Sequence, residues 1–70
     1  MGDIQNVLKE LRLQNNYTQE YIAKYLCVTQ QAYANYEKGK RLPDVEKLIM
    51  LADLYNVSLD ILTGRYKKRA

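Results

Sequence analysis

Residues 18–39, TQEYIAKYLCVTQQAYANYEKG, decide how this chain folds. Thr18 and Thr29 each stand where a hydroxyl can cap a helix by accepting a hydrogen bond from a backbone N–H of its first turn. Between them, Ile22, Ala23 and Leu26 form a narrow apolar stripe at helical spacing. Ala23 carries no bulk, so another helix can cross close to it. Tyr21 and Tyr25 are an i, i+4 pair that leans off this stripe and is expected to be half exposed. Beyond Thr29, Ala32, Tyr33 and Tyr36 point one way. Gln31, Asn35 and Lys38 recur at i, i+4 and i+7 along the opposite face, with Gln30 and Ala34 in the adjacent row and Glu37 on the border of the buried side. Gly39 is a strong helix stop. The stretch reads as two short helices joined by a tight turn at Leu26–Cys27.

Upstream, Asp3 can cap a first helix in which Ile4, Val7, Leu8 and Leu11 share a face, while Lys9, Glu10 and Gln14 fall away from it. Asn15 and Asn16 can end that helix, and Tyr17 is placed to staple against Tyr21. Downstream, Pro43 disfavours helix at Leu42, so Lys40-Arg41-Leu42-Pro43 is an extended connection. Asp44 then caps a helix that is apolar almost all round, through Val45, Leu48, Ile49, Leu51, Ala52 and Tyr55, with Asn56 as its stop. Ser58 caps a short last helix with Leu59, Ile61 and Leu62, closed by Gly64. No stretch alternates with period two for long enough to make a strand. The expected fold is all-α: a compact five-helix bundle over residues 1–64, followed by a basic tail at 65–70.

Seventy residues make one small domain, with no room for a separate catalytic unit. Catalysis finds little to work with. There is no His to act as a base near neutral pH. Cys27, the only cysteine, has no imidazole partner, and one Cys excludes both an internal disulfide and a multi-cysteine zinc site. No Gly-rich phosphate loop or metal-ligand cluster is present, so no cofactor and no metal are expected. No apolar run approaches the roughly 20 residues that span a bilayer, and no signal peptide is present. The expectation is a non-enzymatic, soluble, cytoplasmic protein. Its net charge of +3 is unevenly spread: Arg65, Lys67, Lys68 and Arg69 crowd the tail, Lys38, Lys40 and Arg41 follow the second helix of the opening stretch, and residues 1–64 hold seven basic against eight acidic side chains. A polyanion meets local basic patches here, not a uniformly basic surface.

Two short helices joined by a tight turn, the second exposing amides near its N-terminus, have the spacing of a helix-turn-helix. An α-helix fits the major groove of DNA, and its first turn can reach base edges. Gln and Asn offer a donor and an acceptor side by side, which matches adenine N6 and N7. Taken alone, the amide row is equally an ordinary solvated face.

TQEYIAKYLCVTQQAYANYEKGKRLPD followed by LIMLADLYNVSLDILTG resembles the phage-repressor and Cro-type (XRE-like) helix-turn-helix family, from about Arg12 to Gly64. The resemblance rests on Thr18-Gln19, Ala23, Leu26, Val28-Thr29, Glu37-x-Gly39-x-x-x-Pro43, Leu48…Leu51-Ala52 and Asn56-Val57-Ser58. It implies a lambda-repressor-like DNA-binding domain and a transcriptional regulator, a repressor in the first instance, bound to double-stranded DNA as a homodimer. Carried onto this sequence, it implies that Gln30, Gln31 and Asn35 face bases with Ala34 beside them. Gln19 matches a position that contacts phosphate and braces the first recognition Gln. Asn16, Tyr36, Lys38, Lys40 and Arg41 are then candidate backbone contacts, which fix register without reading sequence. Arg12 and Glu37 match a salt bridge between the first and third helices.

One residue departs from the pattern. Cys27 stands at a turn position that the family usually gives to Gly. If the turn needs φ > 0, a non-Gly residue there costs roughly 1 kcal/mol; either the turn rearranges or Cys27 bears the strain, as a small semi-buried hydrophobe. Met50, Leu54, Leu59 and Ile61 exceed what so small a core can take, and are expected to form the dimer interface. Two other readings accompany this one: an antitoxin or protein-interaction module of the same fold, and the N-terminal domain of a longer regulator continuing past Ala70.

Overall fold

The computed structural model describes residues 4–63; the Asp3 cap, the Gly64 stop and the 65–70 tail lie outside the described residues. Five helices follow in order: α1 (Ile4–Gln14), α2 (Gln19–Leu26), α3 (Gln30–Lys38), α4 (Val45–Tyr55) and α5 (Leu59–Leu62). No strand occurs among the described residues.

Short polar side chains start these helices. Thr18 accepts from the Tyr21 N–H and Thr29 from the Ala32 N–H, both at 3.0 Å. Asp44 accepts from Lys47 and Ser58 from Ile61, at 3.0 and 3.1 Å. Each cap satisfies a first-turn donor that has no partner within its helix, and is worth about 1 kcal/mol.

The ends of α1, α2, α3 and α4 share a single device. Asn16, Cys27, Gly39 and Asn56 all lie in the left-handed region, at φ of 61, 62, 79 and 56°. The residue after each one donates back across the last turn, from Tyr17 to Arg12 O, Val28 to Ala23 O, Lys40 to Asn35 O and Val57 to Ala52 O, at 2.9–3.0 Å. This is the Schellman arrangement, which closes a helix and reverses the chain sharply. Residue 27 therefore does need a positive φ, and Cys27 bears it without rearranging the turn. Its thiol is exposed, not semi-buried as its small size led us to expect. Residue 27 lies one position past the inward stripe of α2, and the chain has already turned away there.

Every helix sends at least one fully buried side chain into one core: Leu8 from α1, Ile22 and Leu26 from α2, Tyr33 from α3, Leu51 from α4 and Leu62 from α5. Burying each aliphatic one contributes about 1.5–3 kcal/mol. Ala23, also buried, lies on the face of α2 that packs on α3 and α4. α3 is held between α1 and α2, while α5 closes the bundle against α1 and α4. Tyr17 stacks on Tyr21 with ring centroids 4.7 Å apart and leans on Tyr55 at 6.2 Å.

The apolar surplus is distributed differently from the expectation. Met50 and Leu54 are half-buried against the core. Met50 is also crossed by Tyr25, whose hydroxyl donates to its carbonyl oxygen at 3.3 Å. Leu59 and Ile61 stay 43% exposed, and the most exposed large apolar side chains are Leu42 at 73% and Val45 at 69%. The cause is the helical register of α4. Leu51, Ala52 and Tyr55 claim the inward side, which leaves Val45 and Ile49 on a flank that no other described element covers.

Candidate nucleic-acid interface

The helix presented to solvent is α3, whose two faces are built from unlike chemistry. Inward, Tyr33 is fully buried and Tyr36 is 8% exposed, the two rings meeting edge to face at 5.9 Å. Outward, Gln30, Gln31 and Lys38 are exposed, with Ala34 and Asn35 half-exposed between them. Gln31 donates from its amide to Asn35 Oδ1 at 3.4 Å, a long bond on an exposed surface. Thr29 and the turn at Cys27 set where this row begins.

Lys40 and Arg41 are attached to the same surface by their backbones. Both N–H groups donate to the Asn35 carbonyl oxygen, at 3.0 and 3.4 Å, so the connection after Gly39 folds back along the end of α3. Their side chains are exposed beside Lys38. Gly39 is needed at this bend. A Cβ there would lie 3.0 Å from Gln5 Nε2 on α1, and its φ of 79° already disfavours any side chain. The packing of Gln5 on Gly39 had no signal in the sequence, because α1 meets the end of α3 only in the folded chain.

The orientation of α3 is fixed by a charged network on its inner border. Arg12 donates from Nε to Glu37 Oε2 at 2.7 Å and from Nη2 to Oε1 at 3.1 Å, a two-pronged ion pair with side chains 11% and 4% exposed. Arg12 also donates to the Tyr17 carbonyl oxygen, tying the pair to the end of α1. Gln19 adds a third donor, from Nε2 to Glu37 Oε1 at 3.0 Å. Burial raises the Glu37 pKa, but hydrogen bonding from Arg12, Tyr33 and Gln19, together with the Arg12 charge, outweighs it and holds the carboxyl below its ordinary value of 4.5. Glu37 in turn raises Arg12. Helices α1, α2 and α3 thus meet at one carboxylate.

This geometry gives Gln19 a partner within the protein. The resemblance set it against the first recognition Gln, yet among the described residues its amide hydrogen bond goes to Glu37. A buried carboxylate is a stronger acceptor than a solvated amide. Tyr36 lies in the core with little surface to offer a phosphate, and Asn16 is exposed at the end of α1. Leu42, Val45 and Ile49 were not singled out from the sequence. The available signal was Val45 and Ile49 standing off the Leu48–Leu51–Ala52–Tyr55 stripe.

Among the described residues there is no group of side chains arranged to hold a metal, and no helix long and apolar enough to cross a membrane. A helix-turn-helix family profile matches residues 8–62. The chain is 44% identical over 62 residues to the HTH-type transcriptional regulator AnsR of Bacillus subtilis, covering 89% of this chain and 53% of that protein. It is 37% identical over 51 residues to the cryptic phage CTXphi transcriptional repressor RstR of Vibrio cholerae, covering 73% and 46%. A crystal structure of a transcriptional regulator from Listeria innocua superposes with a TM-score of 0.88 at 30% identity, over all of this chain and 64% of that one. The chain spans about half the length of these curated relatives. A profile match across nearly the whole fold, centred on the capped α2–turn–α3 unit, places this chain in the XRE-type helix-turn-helix family.

Proposed function

We propose that the protein binds double-stranded DNA sequence-specifically as a cytoplasmic transcriptional regulator, and that it represses. The observation that carries this reading is the outer face of α3: a row of amides beginning at a capped helix N-terminus and ending beside Lys38, Lys40 and Arg41. With α3 in the major groove, Gln30, Gln31 and Asn35 read base edges and Ala34 lets the helix approach the groove floor. Asn16, Lys38, Lys40 and Arg41 take phosphates, and the N-terminus of α2 at Gln19 lends a further donor-rich end. Names such as transcriptional repressor, carried by relatives that share this helical frame, support the regulatory role.

The operator is near-palindromic and the protein binds it as a homodimer, with half-sites about 10–10.5 bp apart or a multiple of that. The exposed apolar side chains Leu59 and Ile61 supply an interface, with Leu54 at its margin. Selection of bound sequences from a random DNA pool tests the reading. Enrichment of two inverted half-sites at that spacing is expected. Recovery of unrelated sequences, retained only at low salt, would refute sequence-specific binding.

A further inference from the structure

Two of the proposed base readers on the outer face of α3 are bonded to each other. Gln31 Nε2 donates to Asn35 Oδ1, four residues on, at 3.4 Å. Side chains at this spacing lie one above the other on a helix, so the two amides meet without bending the backbone. Asn35 is the better anchored partner. It is half-exposed, and its carbonyl oxygen accepts from the Lys40 and Arg41 N–H groups as the chain folds back after Gly39. Gln31 is exposed. In water such a pair is weak, because either amide can bond to solvent instead. In a groove from which water is excluded that alternative is gone, and the same bond strengthens.

We infer that Asn35 sets which way the Gln31 amide faces, so that the two side chains read two base steps as one unit. The inference rests on α3 being the helix that enters the groove. Counting hydrogen bonds gives each partner a different role. A primary amide has two N–H donors and one oxygen acceptor. With one N–H given to Asn35, Gln31 keeps an oxygen and an N–H, the pair that matches adenine N6 and N7. Asn35 has its oxygen turned back on Gln31 and keeps two N–H donors. Those suit a base whose major-groove edge accepts, guanine through O6 and N7 or thymine through O4. The amino groups of adenine and cytosine would meet them donor to donor. Cβ atoms at this spacing are about 5–6 Å apart and bases rise about 3.4 Å per step, so the two bases lie one or two steps apart. Asn35 is thus a reader and also the positioning residue for Gln31.

Selection from a random DNA pool, followed by affinities for single-base variants of the selected half-site, tests this. The proteins compared are the wild type, Gln31→Ala, Asn35→Ala and Asn35→Asp. The step that loses its preference in Gln31→Ala is the one Gln31 reads. There the wild type is expected to favour adenine roughly 5–150-fold, with guanine or thymine one or two steps away. Asn35→Ala should lose the second preference and also weaken the adenine preference by about twofold or more. Asn35→Asp keeps the acceptor for Gln31, so the adenine preference should hold. Its second step should turn to cytosine, whose N4 donates to a carboxylate. Ratios between bases are compared within each variant, since the added negative charge weakens every sequence alike. An adenine preference untouched by Asn35→Ala, or lost in Asn35→Asp as well, would overturn the coupling. So would adenine or cytosine at the second step of the wild-type site, or equal loss at every step in Gln31→Ala. If the wild type enriches no common site, sequence-specific binding itself fails and the inference falls with it.

Discussion

The two faces of α3 are close in sequence and opposite in tolerance. On the inner face, Tyr33 and Glu37 are held by neighbours from α1 and α2, and every polar contact there is structural. On the outer face, Gln30 and Gln31 touch almost nothing of the protein. A helix that reads another molecule needs this asymmetry, because the outer side chains must be free to rearrange while the axis is not. Stability should therefore track the inner face, and selectivity the outer one.

The largest expected effect is on the inner face. Arg12→Met leaves Glu37 buried without its cation, and should cost about 3–5 kcal/mol by chemical denaturation, a large share of the margin of a small domain. A loss under about 1 kcal/mol would mean that the pair is no more than a surface contact. The same pair predicts a pH dependence. The folded pKa of Glu37 lies below its ordinary value of 4.5, so the stabilisation is complete above that pH. It is lost as pH falls below 4.5 and through the folded value, where the unfolded chain takes up the proton first. Urea midpoints measured at descending pH should show this fall in the wild type, and much less of it in Glu37→Gln.

On the outer face, Gln31→Ala should leave the unfolding midpoint unchanged and cost about 1–3 kcal/mol of DNA binding at one base position. Lys40→Ala should weaken all sequences alike and shallow the salt dependence. A panel of operator variants separates the two, and uniform loss for Gln31→Ala would remove it from the readers.

Smaller effects belong to the two turns that bracket α3. Gly39→Ala forces a side chain into the left-handed region and against Gln5, and should destabilise by about 1–2 kcal/mol. Cys27→Gly relieves the same strain at φ 62° and should stabilise by about 0.5–1 kcal/mol, the gain being limited by the greater freedom of Gly in the unfolded chain. Thermal melts of the two variants should shift in opposite directions. A destabilised Cys27→Gly would show that the thiol makes a contact worth more than the strain.

Much of this was legible beforehand because it is local. Thr18, Thr29, Asp44 and Ser58 announce helix starts, and Asn16, Gly39 and Asn56 announce ends, since caps and left-handed stops act within a few residues of themselves. The Arg12–Glu37 pairing was reached only through the family pattern, because its partners are 25 residues apart. Several placements escaped. Gln19 turned to Glu37, Cys27 proved exposed, and Met50 and Leu54 settled on the core while Leu42 and Val45 did not.

What the chain of residues determined by itself is the set of five helices, their limits and the amide row on one of them. These follow from hydrogen bonds and apolar spacing within single turns. Only the tertiary structure decided which apolar side chains stay outside and where the Gln19 amide points. It also brought a guanidinium, an amide and a carboxylate, Arg12, Gln19 and Glu37, from three helices to one place. Those outcomes depend on how helices compete for a core too small to take every apolar residue, and no local rule ranks the competitors.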